Sequence, residues 1–102
     1  MLFYNSVKWQ RLRAAILRRD KYICQYSKRF GKTIEAVTVH HLLPADLFPE
    51  YKYNEWNLIS LSNEAHNKMH DRRTGELNET GREFAKLILT KRGKYPPPKH
   101  TS

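Results

Sequence analysis

The chain has 102 residues, and 19 Lys and Arg against 10 Asp and Glu give it a formal charge of +9 before any histidine is counted. That length suits one domain, and 39% hydrophobic residues can build one modest core rather than two. The composition excludes an acidic or charge-balanced enzyme, a disulfide-stapled scaffold, since Cys24 has no second cysteine to pair with, and a membrane span, since no apolar run approaches the ~20 residues required.

The N-terminal residues lack the charged and apolar regions of a secretory signal, so a reducing cytoplasm is the expected compartment. A surface this basic attracts polyanions and releases counterions from a phosphate backbone, which makes nucleic acid the natural partner.

In chain order, Trp9, Leu12 and Ile16 recur at helical spacing behind Ser6, a residue suited to an N-cap, and predict an amphipathic helix to about Arg19. Arg11, Arg13, Arg18 and Arg19 surround its apolar stripe and could meet solvent or phosphate. Asp20-Lys21-Tyr22 ends the helix, and the basic run from Lys28 to Lys32 turns at Gly31. The β-branched, alternating residues 33–39 predict a strand that delivers His40 and His41 at its end. Residues 42–56 carry two prolines and no period, hence a long loop, and residues 57–61 form a second short strand.

Ser62 offers a cap for a helix over about 63–72, which sets His66 and His70 one turn apart on one face. The spelling Thr80-Gly81-Arg82-Glu83 is that of a capping box, and it opens a last helix to about Arg92. Residues 93–102 read as a basic, proline-rich tail, extended and flexible, behind a single domain over 1–92.

Four of the five histidines fall in one pattern: His40-His41 at a strand end, Asn57 sixteen residues after His41, His66 nine later and His70 four after that. If the two strands form a hairpin and the helix packs back across it, His40, His66 and His70 converge on one ion. A metal-bound imidazole cannot also serve as a base, so the two roles need different histidines, and neighbouring strand residues point to opposite sides. Two readings follow. One is a hydrolytic metal site. The other is a non-catalytic nucleic-acid-binding module in which His40, His66, His70 and Cys24 close a structural zinc site.

Val39-His40-His41-Leu42-Leu43-Pro44, then Asn57-Leu58-Ile59-Ser60-Leu61, then Ala65-His66-Asn67-Lys68-Met69-His70 resemble the HNH motif of small phage and bacterial endonucleases. The lead-in from Trp9 to Gln25 is similar too, so the likeness spans roughly residues 4–73. The resemblance implies an α+β fold, a ββα-metal hairpin-plus-helix core over about 33–72 with flanking N- and C-terminal helices. It implies His41 as general base, Asn57 as the residue that holds the hairpin and orients His41, and His40, His66 and His70 as ligands of one divalent ion, where many relatives have Asp at the position of His40. Nitrogen ligands favour Zn, Ni, Co or Mn over Mg.

The implied reaction is hydrolysis of DNA phosphodiester bonds, nicking with low sequence specificity and leaving 5′-phosphate and 3′-hydroxyl ends. An RNA-directed nuclease would use the same site. Double-stranded DNA is the expected partner, with Arg72, Arg73, Lys28 and Arg29 as candidate phosphate contacts and Asp71 as a candidate partner of a ligand histidine. The family likeness further implies a phage terminase as a neighbour, a monomer or weak dimer, and the host cytoplasm for a phage-encoded protein. Many phage relatives carry a four-cysteine zinc site; here Cys24 remains, with Ser27, Ser62 and Ala65 at the other positions, so Cys24 is expected to be a buried, inert thiol.

Overall fold

The computed structural model describes residues 5–98. The first helix, α1 (Val7–Arg19), starts where the Ser6 hydroxyl accepts a hydrogen bond from the Trp9 N–H, and it buries Trp9, Ile16 and Leu17. The chain leaves α1 through two left-handed residues, Lys21 and Tyr22, and makes the short helix α2 (Gln25–Lys28). Two strands follow, β1 (Thr38–His41) and β2 (Leu58–Leu61), paired antiparallel with His40 opposite Ile59 and His41 opposite Leu58. The loop between them contains two short 3-10 turns, Pro49–Tyr51 and Glu55–Asn57. Helix α3 (Asn63–Lys68) and the long α4 (Glu79–Lys91) complete the fold, so the mixed architecture agrees with a ββα core flanked by helices.

Alternation along the strands splits the core into two layers. Val39 and Leu58 pack with Trp9, Ile16 and Leu17 on the α1 side. Ile59 and Leu61 pack with Met69, Phe84 and Leu89 on the side of α3 and α4. The two-stranded ribbon is thus covered on both faces, which lets so short a sheet hold its register.

Three expectations from the sequence are corrected. The strand expected over 33–39 is β1 at 38–41, because the preceding segment bonds elsewhere: the Cys24 N–H donates to the Ile34 carbonyl and the Ala36 N–H to that of Tyr22. The histidines consequently lie within the strand, not beyond it. The helix expected to reach residue 72 ends at Lys68, because the Asp71 carboxylate accepts from the backbone N–H groups of Arg73 and Thr74 and folds the chain into a turn that sets His70 against Leu77. Finally, α4 is capped by Asn78, whose side chain accepts from the Gly81 N–H, so the Thr80 capping box does not form.

Gly81 has a packing reason to be glycine. A Cβ there would stand 2.5 Å from the Met69 carbonyl oxygen and 2.6 Å from a Leu77 methyl, so α4 could not approach the end of α3 as it does.

Cys24 is fully buried, as expected, and its surroundings are specific. Burial pushes its thiol pKa up, but hydrogen bonds from Ser27 and Ser62 outweigh that and leave it lowered. Ala65 belongs to the same core cluster, so a cysteine, two hydroxyls and a methyl occupy the positions where a four-cysteine site would stand. Of the tail, residues 93–98 are described and the remainder, with His100, lies outside the described residues. The described part makes contacts: Lys94 lies over the Trp56 ring and the Tyr51 hydroxyl donates to the Pro98 carbonyl. No helix among the described residues is long and apolar enough to cross a membrane.

Candidate metal centre and its neighbouring histidine

His40 sits in β1 on the face covered by α3, and α3 with the turn beyond it brings His66 and His70 against it. The ring centroids lie 5.1 Å apart for His40 and His66, 5.3 Å for His40 and His70, and 4.8 Å for His66 and His70, with each pair edge to face. Each ring offers one nitrogen, and the three atoms lie within 4.8 Å of one another. His70 reaches this position although it lies beyond the helix, held by its Nδ1–H donating to the His66 carbonyl at 3.2 Å. That bond puts the lone pair of the His70 ring on Nε2.

His40 is 1% exposed, and its Nε2 has no hydrogen-bond partner among the described residues. A buried polar nitrogen left so costs stability unless something electron-deficient meets it. Burial holds the His40 pKa well below the usual imidazole value, and the neighbouring rings of His66, His70 and His41 push it the same way. Burial and then His70 and His41 lower His66 as well. Three imidazoles converging on one point are a donor set suited to a divalent ion such as Zn, Mn, Co or Ni. Among the described residues no carboxylate or thiol joins the cluster, so Cys24 does not close it and three protein ligands leave further positions open.

His41, the next residue, points the other way and stacks on Trp9 of α1 at 5.3 Å and 15° between ring planes. Its Nε2 lies 3.1 Å from the Lys52 carbonyl oxygen. A carbonyl only accepts, so Nε2 carries the proton and the lone pair is on Nδ1. Burial lowers the His41 pKa, and the Lys52 carbonyl partly offsets that. The ring is therefore neutral at neutral pH.

Asn57 is fully buried at the start of β2. Its Oδ1 accepts from the Leu43 N–H at 2.8 Å, and its Nδ2 donates to the carbonyls of Leu43 at 3.1 Å and Tyr51 at 3.2 Å. One amide thus ties the start and the middle of the long loop to the residue that opens β2. The carbonyl that holds His41 belongs to Lys52, the residue after Tyr51, so Asn57 fixes the loop segment that fixes the ring.

All four histidines line one groove between α1 and α4, His40 at its buried floor. The suggested phosphate contacts fall outside it. Arg72 lines a smaller depression beside His70, while Arg29 lies over the rings of Tyr26, Phe30 and Phe84. Lys28 and Arg73 are exposed and do not line the groove. Asp71 spends its carboxylate on the turn, not on a histidine. The sequence did not point to Trp9 or the Lys52 carbonyl as site components; a stacking indole and a main-chain oxygen carry no motif of their own.

No protein-family model and no curated protein matches the chain. Among solved structures, the HNH endonuclease of the deep-sea thermophilic bacteriophage GVE2, determined with a manganese ion, is similar at 36% identity and a TM-score of 0.63, over 65% of this chain and 72% of that one. With its paired strands, the crossing helix and the histidine cluster, the chain belongs to the HNH endonucleases, enzymes that hydrolyse phosphodiester bonds.

Proposed function

We propose that the protein is a metal-dependent endonuclease that cuts DNA one strand at a time, with His40, His66 and His70 holding a single divalent ion and His41 acting as general base. The observation that carries this is the split of adjacent strand residues. The His40 ring, its Nε2 without a partner among the described residues, packs against His66 and His70, while His41 is fixed in a tautomer with its lone pair on Nδ1.

A divalent ion bound by the three imidazoles supplies a Lewis acid for the charge that develops on the phosphate and on the leaving 3′ oxygen. The chain's own part in the reaction lies with His41 and its supports. A neutral imidazole with a free lone pair is a competent acceptor for the proton of an attacking water at neutral pH. The Lys52 carbonyl then steadies the imidazolium that forms, because it accepts from Nε2–H in both protonation states. Stacking on Trp9 keeps the ring from rotating out of line. Asn57 acts at a distance, as a positioning residue for the loop that carries Lys52. Water attack on phosphorus with loss of the 3′ oxygen leaves a 5′-phosphate and a 3′-hydroxyl. With one base and one ion site, each encounter breaks one strand.

The test is nicking of supercoiled plasmid by metal-stripped protein, with Mg, Mn, Co, Ni and Zn added back separately and His41→Ala run alongside. Open circles from the wild type with at least one ion, and none from the variant, are expected. A folded wild type that nicks with no ion, or a His41→Ala variant that nicks at the same rate, would remove the proposal. Equal cleavage of single-stranded RNA would move the substrate away from DNA.

A further inference from the structure

The groove that holds the histidines has two walls of different charge. Its α4 wall presents Glu79, Arg82, Glu83 and Lys86, whose formal charges cancel. Its α1 wall presents Trp9, Gln10 and Arg13, a single cation with no carboxylate beside it on that helix. Arg82 of the α4 wall is tied to one carbonyl, that of Leu77, but stands on its helix with Glu79 and Glu83, and two further arginines are committed away from the groove. Arg19 binds the Asp20 carboxylate and the carbonyls of Glu55 and Leu58, and Arg92 binds the carbonyls of Trp56 and Leu58.

Arg13 is placed differently. Its Nη2 donates to the Val37 carbonyl at 2.7 Å, which pins the guanidinium just before β1 begins. A guanidinium has five N–H donors, so that bond leaves four for a phosphate, in the fork geometry that suits bidentate binding. Trp9, stacked on His41, lies one helical turn before Arg13 on the same face of α1. Arg13 is thus tied to the chain four residues before His41 and stands one turn of α1 from the indole that His41 stacks on, so both line the same side of the groove.

We propose that Arg13 grips a backbone phosphate of the DNA beside the bond being cut, so that the strand is held from the α1 wall while the α4 wall adds little. This rests on the DNA endonuclease reading. Arg13 would be a substrate-binding residue without base contacts, consistent with phosphate contacts that fix register and carry no sequence information.

The experiment uses the manganese-loaded full chain and a fluorescent duplex, with kcat and KM measured over a series of salt concentrations for wild type, Arg13→Gln, Arg13→Lys and Lys86→Gln. Loss of one phosphate contact lowers the slope of log(kcat/KM) against log salt by about 0.9. Arg13→Gln is expected to lose that much slope and to raise KM about five- to tenfold with kcat within twofold. Arg13→Lys, which keeps the charge, should retain the slope, and Lys86→Gln should leave slope and KM as they are. A purely structural role for Arg13 would change the melting temperature but not the slope. An unchanged slope in Arg13→Gln, or an equal loss in Lys86→Gln, would overturn the inference while wild-type cleavage still stood. Absence of DNA cleavage by wild type would instead remove the functional reading beneath it.

Discussion

The two faces of the β1–β2 ribbon treat neighbouring histidines in opposite ways. On the α3 face, His40 is sealed at 1% exposure among other imidazoles, with a nitrogen that no group among the described residues satisfies. On the α1 face, His41 is stacked, hydrogen-bonded and fixed in one tautomer. Residue type is identical, so the difference comes entirely from what each face packs against. A site that needs both a ligand and a base can draw the two from consecutive positions of one strand, because the pleat sends them apart at no cost in sequence.

The strongest way to break this comparison is to remove each histidine in turn. His41→Ala should lower kcat by about 10²- to 10⁴-fold, the usual worth of a general base, and leave manganese binding by calorimetry unchanged. His40→Ala should abolish both ion binding and cleavage. If His41→Ala lost the ion, or His40→Ala kept it, the division of labour between the faces would be wrong.

Next in size is Asn57→Ala. The substitution strips partners from the Leu43 N–H and from the carbonyls of Leu43 and Tyr51, all tied by one buried amide. Unfolding in urea should show a loss of about 2–4 kcal/mol, and residual activity should fall even where the variant is folded, because the Lys52 carbonyl loses its anchor. Full activity in the folded fraction would show that His41 does not depend on this loop.

Gly81→Ala probes the α3 face alone. Alanine gains up to about 1 kcal/mol in helix propensity, but its methyl would overlap the Met69 carbonyl, and overpacking against backbone costs about 1–3 kcal/mol. A net loss of about 1 kcal/mol is expected by thermal unfolding. Because Met69 precedes His70, ion binding should weaken several-fold while the His41 side is unaffected.

Much of this was legible in the sequence because it is local. Ser6 and Ser62 cap the helices expected of them, and the spacing of His40, His66 and His70 places them together as expected once the hairpin forms. The ends of elements were harder, since side chains compete for backbone groups in ways a period does not reveal. Asp71 stops α3 early, and Asn78 takes the cap that Thr80 was expected to make. The supports of His41 were invisible for a different reason. Trp9 reads as a core residue whichever ring it touches, and the Lys52 carbonyl belongs to a backbone that every residue shares.

The two faces are read together by the dependence of stability on pH in metal-stripped protein, where the difference between single variants is small. Burial lowers the pKa of His40, His41 and His66 in the folded state, and the usual imidazole value near 6.5 returns on unfolding. Above about pH 6.5 both states are neutral at these positions and no penalty arises. As pH falls below it, the unfolded chain takes up protons that the folded chain refuses, so stability must fall, by at most about 1.4 kcal/mol per pH unit for each group. The loss should begin well above the carboxylate range, which separates it from ordinary acid denaturation. Because His40 is held furthest below its usual value, His40→Leu should flatten the slope between pH 6.5 and 5 more than His41→Leu does. Equal flattening by the two would mean that the faces differ in geometry but not in how strongly they exclude a proton.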